Sequence, residues 1–181
     1  MVKELEVKVL NIDIDIIEEK ILNLGGVLLS KEVQVNTLID SNNKPIKSYL
    51  DAYLRIRESK NLLNNETNTT LTLKKNIKNK DLRENIELNT IIEDKDTMLQ
   101  ILADLGFDNI SIGHKERTSY ILNNARIDLD RWDSNTYPYP YMEIEVENKE
   151  ELDKVIKILE IPKDNISTKS IVELRNELNL E

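Results

Sequence analysis

The sequence predicts an α+β fold in which a mostly antiparallel sheet has helices packed on its outside. Several segments alternate apolar with charged residues, which is the period of a β-strand with one buried face. Three other segments space their apolar residues as an amphipathic helix does. A charged alternating strand followed by a helix recurs at Glu4, Glu87 and Glu143, which indicates an internally duplicated arrangement.

The first half of the chain is predicted to contain five strands and one helix. The strands are ELEVK, VLLSKEVQVNTLID, AYLRIRES, TTLTLKK and LRENIEL. The helix lies in DIDIIEEKILNLGG, where Asp13 or Asp15 can cap the start and Gly25 can end it. Loops are expected at SNNKPIKSY, NLLNNETN and NIKNKD, because these stretches are polar and rich in turn-forming residues.

The second half repeats this outline. A capped helix in EDKDTMLQILADLGF ends at Gly106, and a third amphipathic helix in NKEELDKVIKILEI is closed by Pro162. The strands between them are SIGHKERTSYIL, ARIDLDRW and YMEIEVEN. The segment TKSIVELRNEL is predicted to form a short final helix.

The composition excludes several classes of protein and site. With 181 residues, 39% of them hydrophobic, the chain suits one domain over residues 1–181. A net charge of −9 and a pI near 4.8 argue against binding DNA or an anionic membrane. The absence of cysteine excludes disulfides, and the single histidine, His114, leaves little for a histidine-ligated metal. Without an apolar signal or membrane segment, a cytoplasmic location is expected, and a homodimer is compatible with the sequence.

Charged residues are in phase on nearly every predicted strand. The basic set is Lys8, Arg55, Arg57, Lys74, Arg83, Lys115 and Arg117. The acidic set is Glu4, Glu6, Glu87, Asp130, Glu143 and Glu145. Neighbours of one sign repel unless a ligand or an opposing strand compensates them. The pattern leaves two interpretations open: a solvated charged face, or about eight strands closed into a barrel with these residues in its lumen.

A lumen with both signs of charge would suit a polyanion held with divalent cations. Arginine and lysine would bind phosphoryl oxygens, and carboxylates would hold Mg²⁺ or Mn²⁺ together with phosphate and water.

Seven motifs, in order along almost the whole chain, resemble those of the CYTH superfamily, also called triphosphate tunnel metalloenzymes. They are the ExExK of Glu4, Glu6 and Lys8, then LRIR, TLTLKK, RENIE, HKERTSY, IDLDRW and YMEIE. The resemblance implies an eight-stranded antiparallel β-barrel, the triphosphate tunnel, that needs Mg²⁺ or Mn²⁺. Members include class IV adenylate cyclases and several kinds of triphosphatase.

The resemblance also implies roles for individual residues. Carboxylates matching Glu4, Glu6, Glu87, Asp130, Glu143 and Glu145 would bind metal. Basic residues matching Lys8, Arg55, Arg57, Lys74, Arg83, Lys115 and Arg117 would hold phosphates, with Lys169 near the C-terminus as a further candidate. Catalysis would rest on Lys8, Glu4 and Glu6, with Lys8 positioning the attacking water or hydroxyl.

Departures from the family pattern bear on the reaction. Asn85 stands where many relatives carry a second glutamate beside Glu87, and the HF dipeptide that precedes ExExK in some cyclases is absent. Three hypotheses remain open: a triphosphatase or cyclase, a non-catalytic sensor of polyphosphate or nucleotide, and an open-sheet interaction domain. The phase of His114 predicts that it faces outward. Trp132 and the tyrosines of TYPYPY could stack on a base, but a rigid loop or a packing role is the favoured interpretation.

Overall fold

The computed structural model describes residues 3–77 and 83–180, without the side chains at positions 3, 4, 76, 77, 83 and 84. The strands are β1 (Lys3–Val9), β2 (Val27–Asp40), β3 (Ala52–Asn61), β4 (Thr67–Ile77), β5 (Arg83–Ile91), β6 (Asn109–Leu122), β7 (Ala125–Trp132), β8 (Tyr141–Val146) and β9 (Ile166–Ser167). The α-helices are α1 (Ile14–Asn23), α2 (Ile46–Leu50), α3 (Lys95–Asp104), α4 (Lys149–Ile158) and α5 (Ile171–Glu177). The predicted loop NIKNKD falls mainly on residues 78–82, outside the described part.

The strands form one antiparallel sheet in the order β5-β4-β3-β2-β6-β7-β8-β1-β9. In addition, β1 pairs with β5, so that Glu4 lies opposite Asn85 and Glu6 opposite Arg83. The α+β class and the antiparallel pairing are confirmed, whereas an eight-stranded barrel stays a prediction. The short strand β9, which the sequence pattern did not predict, pairs with the end of β1.

The main hydrophobic core lies between the apolar face of the sheet and helices α1 and α4. Its members include Val7, Val9, Ile127, Leu129, Met142 and Ile144 of the sheet, with Ile14, Ile21, Leu152 and Val155 of the two helices. Asp13 is the residue that caps α1, since its carboxylate accepts from the backbone N–H groups of Asp15 and Ile16. Burying this face under helices leaves the charged face of the same strands on the other side.

The predicted loop SNNKPIKSY is wrong in part, because it contains helix α2. The Asp40 carboxylate fixes this turn by accepting from the backbone N–H groups of Ser41 and Ile46, both at 2.8 Å. Pro45 stands just before the helix, where its missing N–H costs nothing. None of the helices in the described part of the chain is long and apolar enough to cross a membrane.

One end of the sheet, called here the α5 end, gathers the elements that surround the site. Since neighbouring strands are antiparallel, β2 and β7 end where β3, β6 and β8 begin. Tyr137 and Tyr141 pack there with Leu174 of helix α5 in a small separate core. Helix α5 and the loop 133–140 therefore lie over this end of the charged face.

Candidate functional site

A cavity of about 380 Å³ lies on the charged face of the sheet. Ten of the predicted site residues line it: Glu6, Lys8, Arg55, Arg57, Lys74, Glu87, Lys115, Arg117, Glu143 and Glu145. The volume is within the range of about 300–1,000 Å³ that is usual for small-molecule sites. The alternation predicted which residues share the charged face of each strand; that these faces meet in one cavity was one of the two interpretations it left open.

Lysines and glutamates pair closely on the β1, β4, β5 and β8 side of the cavity. Lys8 Nζ lies 2.8 Å from Glu143 Oε1 and 3.9 Å from Glu6 Oε1. Lys74 Nζ lies 3.1 Å from Glu6 Oε2 and 2.7 Å from Glu87 Oε1. Burial alone would raise the pKa of Glu143, but its cationic neighbours, Lys8 first, lower it well below the usual range. Burial likewise opposes ionisation of Glu87, but Lys74 lowers its pKa, so Lys8 and Lys74 favour the ionised forms of Glu143 and Glu87 respectively.

A second network, deeper in the sheet, centres on Arg117. Its guanidinium donates to Asp130 through Nε and Nη2, both at 2.6 Å, and it also contacts Asp128 and Glu143. Lys115 Nζ donates to the same Asp130 at 3.0 Å. Asp130 is fully buried, and it is not among the residues that line the cavity. These bonds use three of the roughly four acceptor positions of the Asp130 carboxylate, which leaves little capacity for the direct metal contact that the resemblance implied.

The β3 wall of the cavity carries excess positive charge. Within the described residues, no carboxylate forms an ion pair with Arg55 or Arg57, and Arg57 Nε donates only to Asn36 Oδ1, at 3.1 Å. Burial, followed by the charges of Arg55 and Arg117, lowers the pKa of Arg57. Arg55 Nε and Asn36 Nδ2 are buried and have no hydrogen-bond partner among the described atoms. Such donors beside a cavity suit an anionic ligand.

Two carboxylates of the cavity lie beside each other on the neighbouring strands β1 and β8. Glu145 lies opposite Glu6 in the β1–β8 register, and like charges in that position repel. Burial raises the pKa of Glu145, and although Arg126 opposes the shift, Asp128 and Glu6 add to it. A divalent cation would relieve this repulsion.

No preformed metal cluster of three or more acidic or histidine side chains occurs in the described part of the chain. The carboxylates of Glu6, Glu143 and Glu145 fit Mg²⁺ or Mn²⁺ in another way. Mg²⁺ usually binds one or two carboxylates and takes its other ligands from phosphate and water.

Besides Asp130, three predicted residues are not placed in the cavity by described side chains. Glu4 and Arg83 belong to β1 and β5, but their side chains lie outside the described residues. Lys169 is exposed and forms an ion pair with Glu177 instead of lining the cavity. The residues around Lys169 in sequence did not indicate where its side chain would lie relative to the cavity.

Other polar residues of the cavity were missed. Arg126 lines it and donates to Asp128 at 2.9 Å; its phase with Asp128 and Asp130 in ARIDLDRW was a usable signal. Asn36 lines it from β2, where the strand prediction noted only a polar position. Arg175 lines it from helix α5, and nothing local in the sequence indicated that.

The loop 133–140 shapes one side of the cavity. The Asp133 carboxylate accepts from the backbone N–H groups of His114 at 2.7 Å and Thr136 at 2.9 Å. Thr136 is thereby pressed against Gly113, where an added Cβ would lie 2.6 Å from Thr136 Oγ1 and 3.0 Å from the Trp132 ring. The packing role is confirmed for Tyr137 and Tyr141, which are buried, but not for Tyr139, which is 56% exposed. His114 faces outward as predicted.

Comparisons with known proteins agree with the motifs. The model of the CYTH domain matches residues 2–172. A protein of Methanocaldococcus jannaschii named "Putative adenylate cyclase MJ0240" is 30% identical over 95% of this chain and 98% of its own length. The solved structure of the PH1819 protein from Pyrococcus horikoshii has a TM-score of 0.79 at 24% identity, covering 97% of this chain and 99% of that one. An adenylyl cyclase-named protein from Hippeastrum, described as having a dominant triphosphatase activity, has a TM-score of 0.66 at 15% identity, over 98% and 96% of the two chains.

Proposed function

Because the chain belongs to the CYTH domain family, we propose that it is a divalent-metal-dependent enzyme acting on a triphosphate. The reaction is either phosphohydrolysis or the conversion of ATP to cyclic AMP and pyrophosphate, the chemistry that the name of the Methanocaldococcus jannaschii relative suggests. One observation carries the proposal: Arg55 and Arg57, which form no ion pair with any described residue, line the same cavity as Glu143, whose pKa is held well below its usual range. That arrangement suits an anionic phosphate chain together with a cation.

The proposed tunnel extends the observed strand order. The β1–β5 pairing would complete the ring of strands β1 to β8 around the cavity. The charged residues would then project into an enclosed lumen, where charge interactions are stronger than in bulk water.

The basic residues would hold the phosphates in two different ways. Arg117 and Lys115 are already fixed by Asp130, so they would bind phosphate without a large loss of side-chain freedom. Arg55 and Arg57 have no carboxylate partner among the described residues, so their charge is available to a ligand. Lys74 completes this proposed grip.

The carboxylates of Glu6, Glu143 and Glu145, with Glu4 and Glu87, would hold Mg²⁺ or Mn²⁺. The bound ion would neutralise phosphate charge as the leaving group departs. Lys8 lies between Glu143 and Glu6, and from there it would orient the attacking water or ribose hydroxyl. Both reactions depend more on positioning and charge neutralisation than on a strong base.

Replacing Arg57 by alanine tests the proposed phosphate grip. Initial rates of phosphate and pyrophosphate release from ATP and from tripolyphosphate would be measured with Mg²⁺. We expect kcat/KM to fall about 100-fold, because charge-assisted hydrogen bonds contribute about 1.5–3 kcal/mol each. Lys60→Ala is the matched control, since Lys60 is exposed on the same strand, and it should leave the rate unchanged.

Lys8→Ala separates an enzyme from a sensor. An enzyme should lose turnover while it still binds the triphosphate through its arginines. Tight binding without turnover by the unmodified chain would instead support a non-catalytic sensor. Equal rates in Arg57→Ala and the unmodified chain would overturn the proposed site.

A further inference from the structure

Tyr141 has a hydroxyl group that the packing of its ring does not explain. The residue is 1% exposed, and it lines the cavity beside Glu143 on the inward face of β8. Its ring packs against that of Tyr137, with the two centres 5.9 Å apart. Trp132 Nε1 donates to the hydroxyl oxygen at 2.8 Å, and this bond fixes the position of the hydroxyl group.

The hydrogen of this hydroxyl has no acceptor in the described part of the chain. A tyrosine hydroxyl can accept one hydrogen bond and donate another at the same time. Tyr141 accepts from Trp132, but it donates to no described side chain or backbone group. A buried donor without an acceptor costs free energy, which a ligand with a suitable acceptor would recover. Because the residue lines the cavity, that acceptor would belong to a ligand in the cavity.

The surroundings of the hydroxyl indicate which kind of acceptor would bind there. Lys8 Nζ lies 5.8 Å from the centre of the Tyr141 ring. Lys8 and Arg117 both contact Glu143, the next inward residue of β8, at 2.8 Å and 2.6 Å. Burial, followed by the charges of Asp130 and Glu143, raises the pKa of Tyr141 well above its usual value, so the hydroxyl remains a donor. A neutral donor beside two cations suits an oxygen of an anionic phosphate.

We propose that the Tyr141 hydroxyl donates a hydrogen bond to a phosphoryl oxygen of the bound triphosphate. Tyr141 is then a neutral substrate-binding residue among charged ones, and Trp132 holds its hydroxyl in place. This inference rests on the proposed function, because it takes the ligand of the cavity to be a triphosphate. The competing explanation is that the hydroxyl serves only as the acceptor that anchors Trp132.

Tyr141→Phe removes the hydroxyl and keeps the ring, but it also leaves Trp132 Nε1 without its acceptor. The change is therefore made twice, in the unmodified chain and in the Trp132→Phe chain, where that N–H group is absent. The dissociation constant of tripolyphosphate would be measured by titration calorimetry in EDTA, which removes divalent cations and so prevents metal-dependent turnover. We expect Tyr141→Phe to weaken tripolyphosphate binding about tenfold in both backgrounds, because a hydrogen bond to a charged group is lost.

Tyr137→Phe is the matched control. Tyr137 is also buried and its ring packs on that of Tyr141, but it does not line the cavity. This variant should bind tripolyphosphate as tightly as the unmodified chain does.

The outcomes separate the inference from the function beneath it. A loss of affinity that vanishes in the Trp132→Phe background would show that the hydroxyl acts only by anchoring Trp132, and the inference would be overturned. Equal affinity of Tyr141→Phe and the unmodified chain would overturn it as well. In both cases the unmodified chain still binds tripolyphosphate, so the triphosphate site would stand. Failure of the unmodified chain to bind tripolyphosphate would overturn the two proposals together.

Discussion

Replacing Arg117 by alanine should destabilise the fold more than any change of a surface charge. Arg117 contacts three carboxylates, those of Asp128, Asp130 and Glu143, and its own side chain is 8% exposed. Asp130 is completely buried, so the variant leaves a buried negative charge with only Lys115 to balance it. Removing one partner of a buried ion pair typically costs about 3–5 kcal/mol. That is a large part of the stability of about 5–15 kcal/mol that domains usually have.

Urea denaturation measures this loss, and its pH dependence identifies the cause. The orphaned carboxylates should take up protons as the pH falls from 7 to 5, so the difference between the two proteins should shrink. Arg131→Ala is the matched control: Arg131 pairs with Asp15 at 2.7 Å, but both side chains are exposed, so the loss should be under about 1 kcal/mol. A loss for Arg117→Ala as small as that of the control, and independent of pH, would refute the reasoning.

Three further predictions concern the same cavity. Gly113→Ala puts a Cβ 2.6 Å from Thr136 Oγ1, so the free energy of unfolding should fall by about 1–3 kcal/mol in urea; an unchanged midpoint would contradict the close contact. Burial and Arg117 lower the pKa of Lys115 to about 7, so an anionic triphosphate should cause proton uptake when it binds at pH 8. Calorimetry in buffers of different ionisation enthalpy measures this proton uptake. Lys115→Arg should abolish the uptake, and uptake that persists in the variant would show that another group takes up the proton. Despite burial, cationic partners hold the pKa of Glu143 well below its usual value, so the stability that this carboxylate contributes should be complete above about pH 4.5 and lost progressively below it. In urea titrations at several pH values, Glu143→Gln should therefore lose less stability in acid than the unmodified chain does. An equal loss in both proteins would show that other groups cause the acid dependence.

The alternation of the strands was enough to predict much of the charged face. Period two is a local property, so the placement of Lys8, Arg57 and Arg117 on the charged faces of their strands follows from their neighbours in sequence. The apolar residues between them, such as Ile56 and Ile144, are indeed buried on the other face. The same reasoning applied to Arg126, in phase with the aspartates of β7, would have added it.

The partners of these charges could not be predicted in the same way. Whether Asp130 faces a metal or Arg117 depends on which strand lies beside β7, and Lys115 and Arg117 reach it from β6. Arg175 enters the cavity, and Lys169 does not, because helix α5 packs through Leu174 against the tyrosines of the α5 end. Such contacts join residues that are far apart in sequence, and no local pattern encodes them.

Phosphorus NMR of the purified protein with Mg²⁺ or Mn²⁺ tests the central claim most directly. ATP and tripolyphosphate would be supplied in separate reactions. The account predicts new phosphorus signals from ATP: phosphate if the chain is a triphosphatase, or pyrophosphate and cyclic AMP if it is a cyclase. Spectra that stay unchanged with both substrates and both metals would contradict the proposal that this chain is an enzyme acting on these triphosphates.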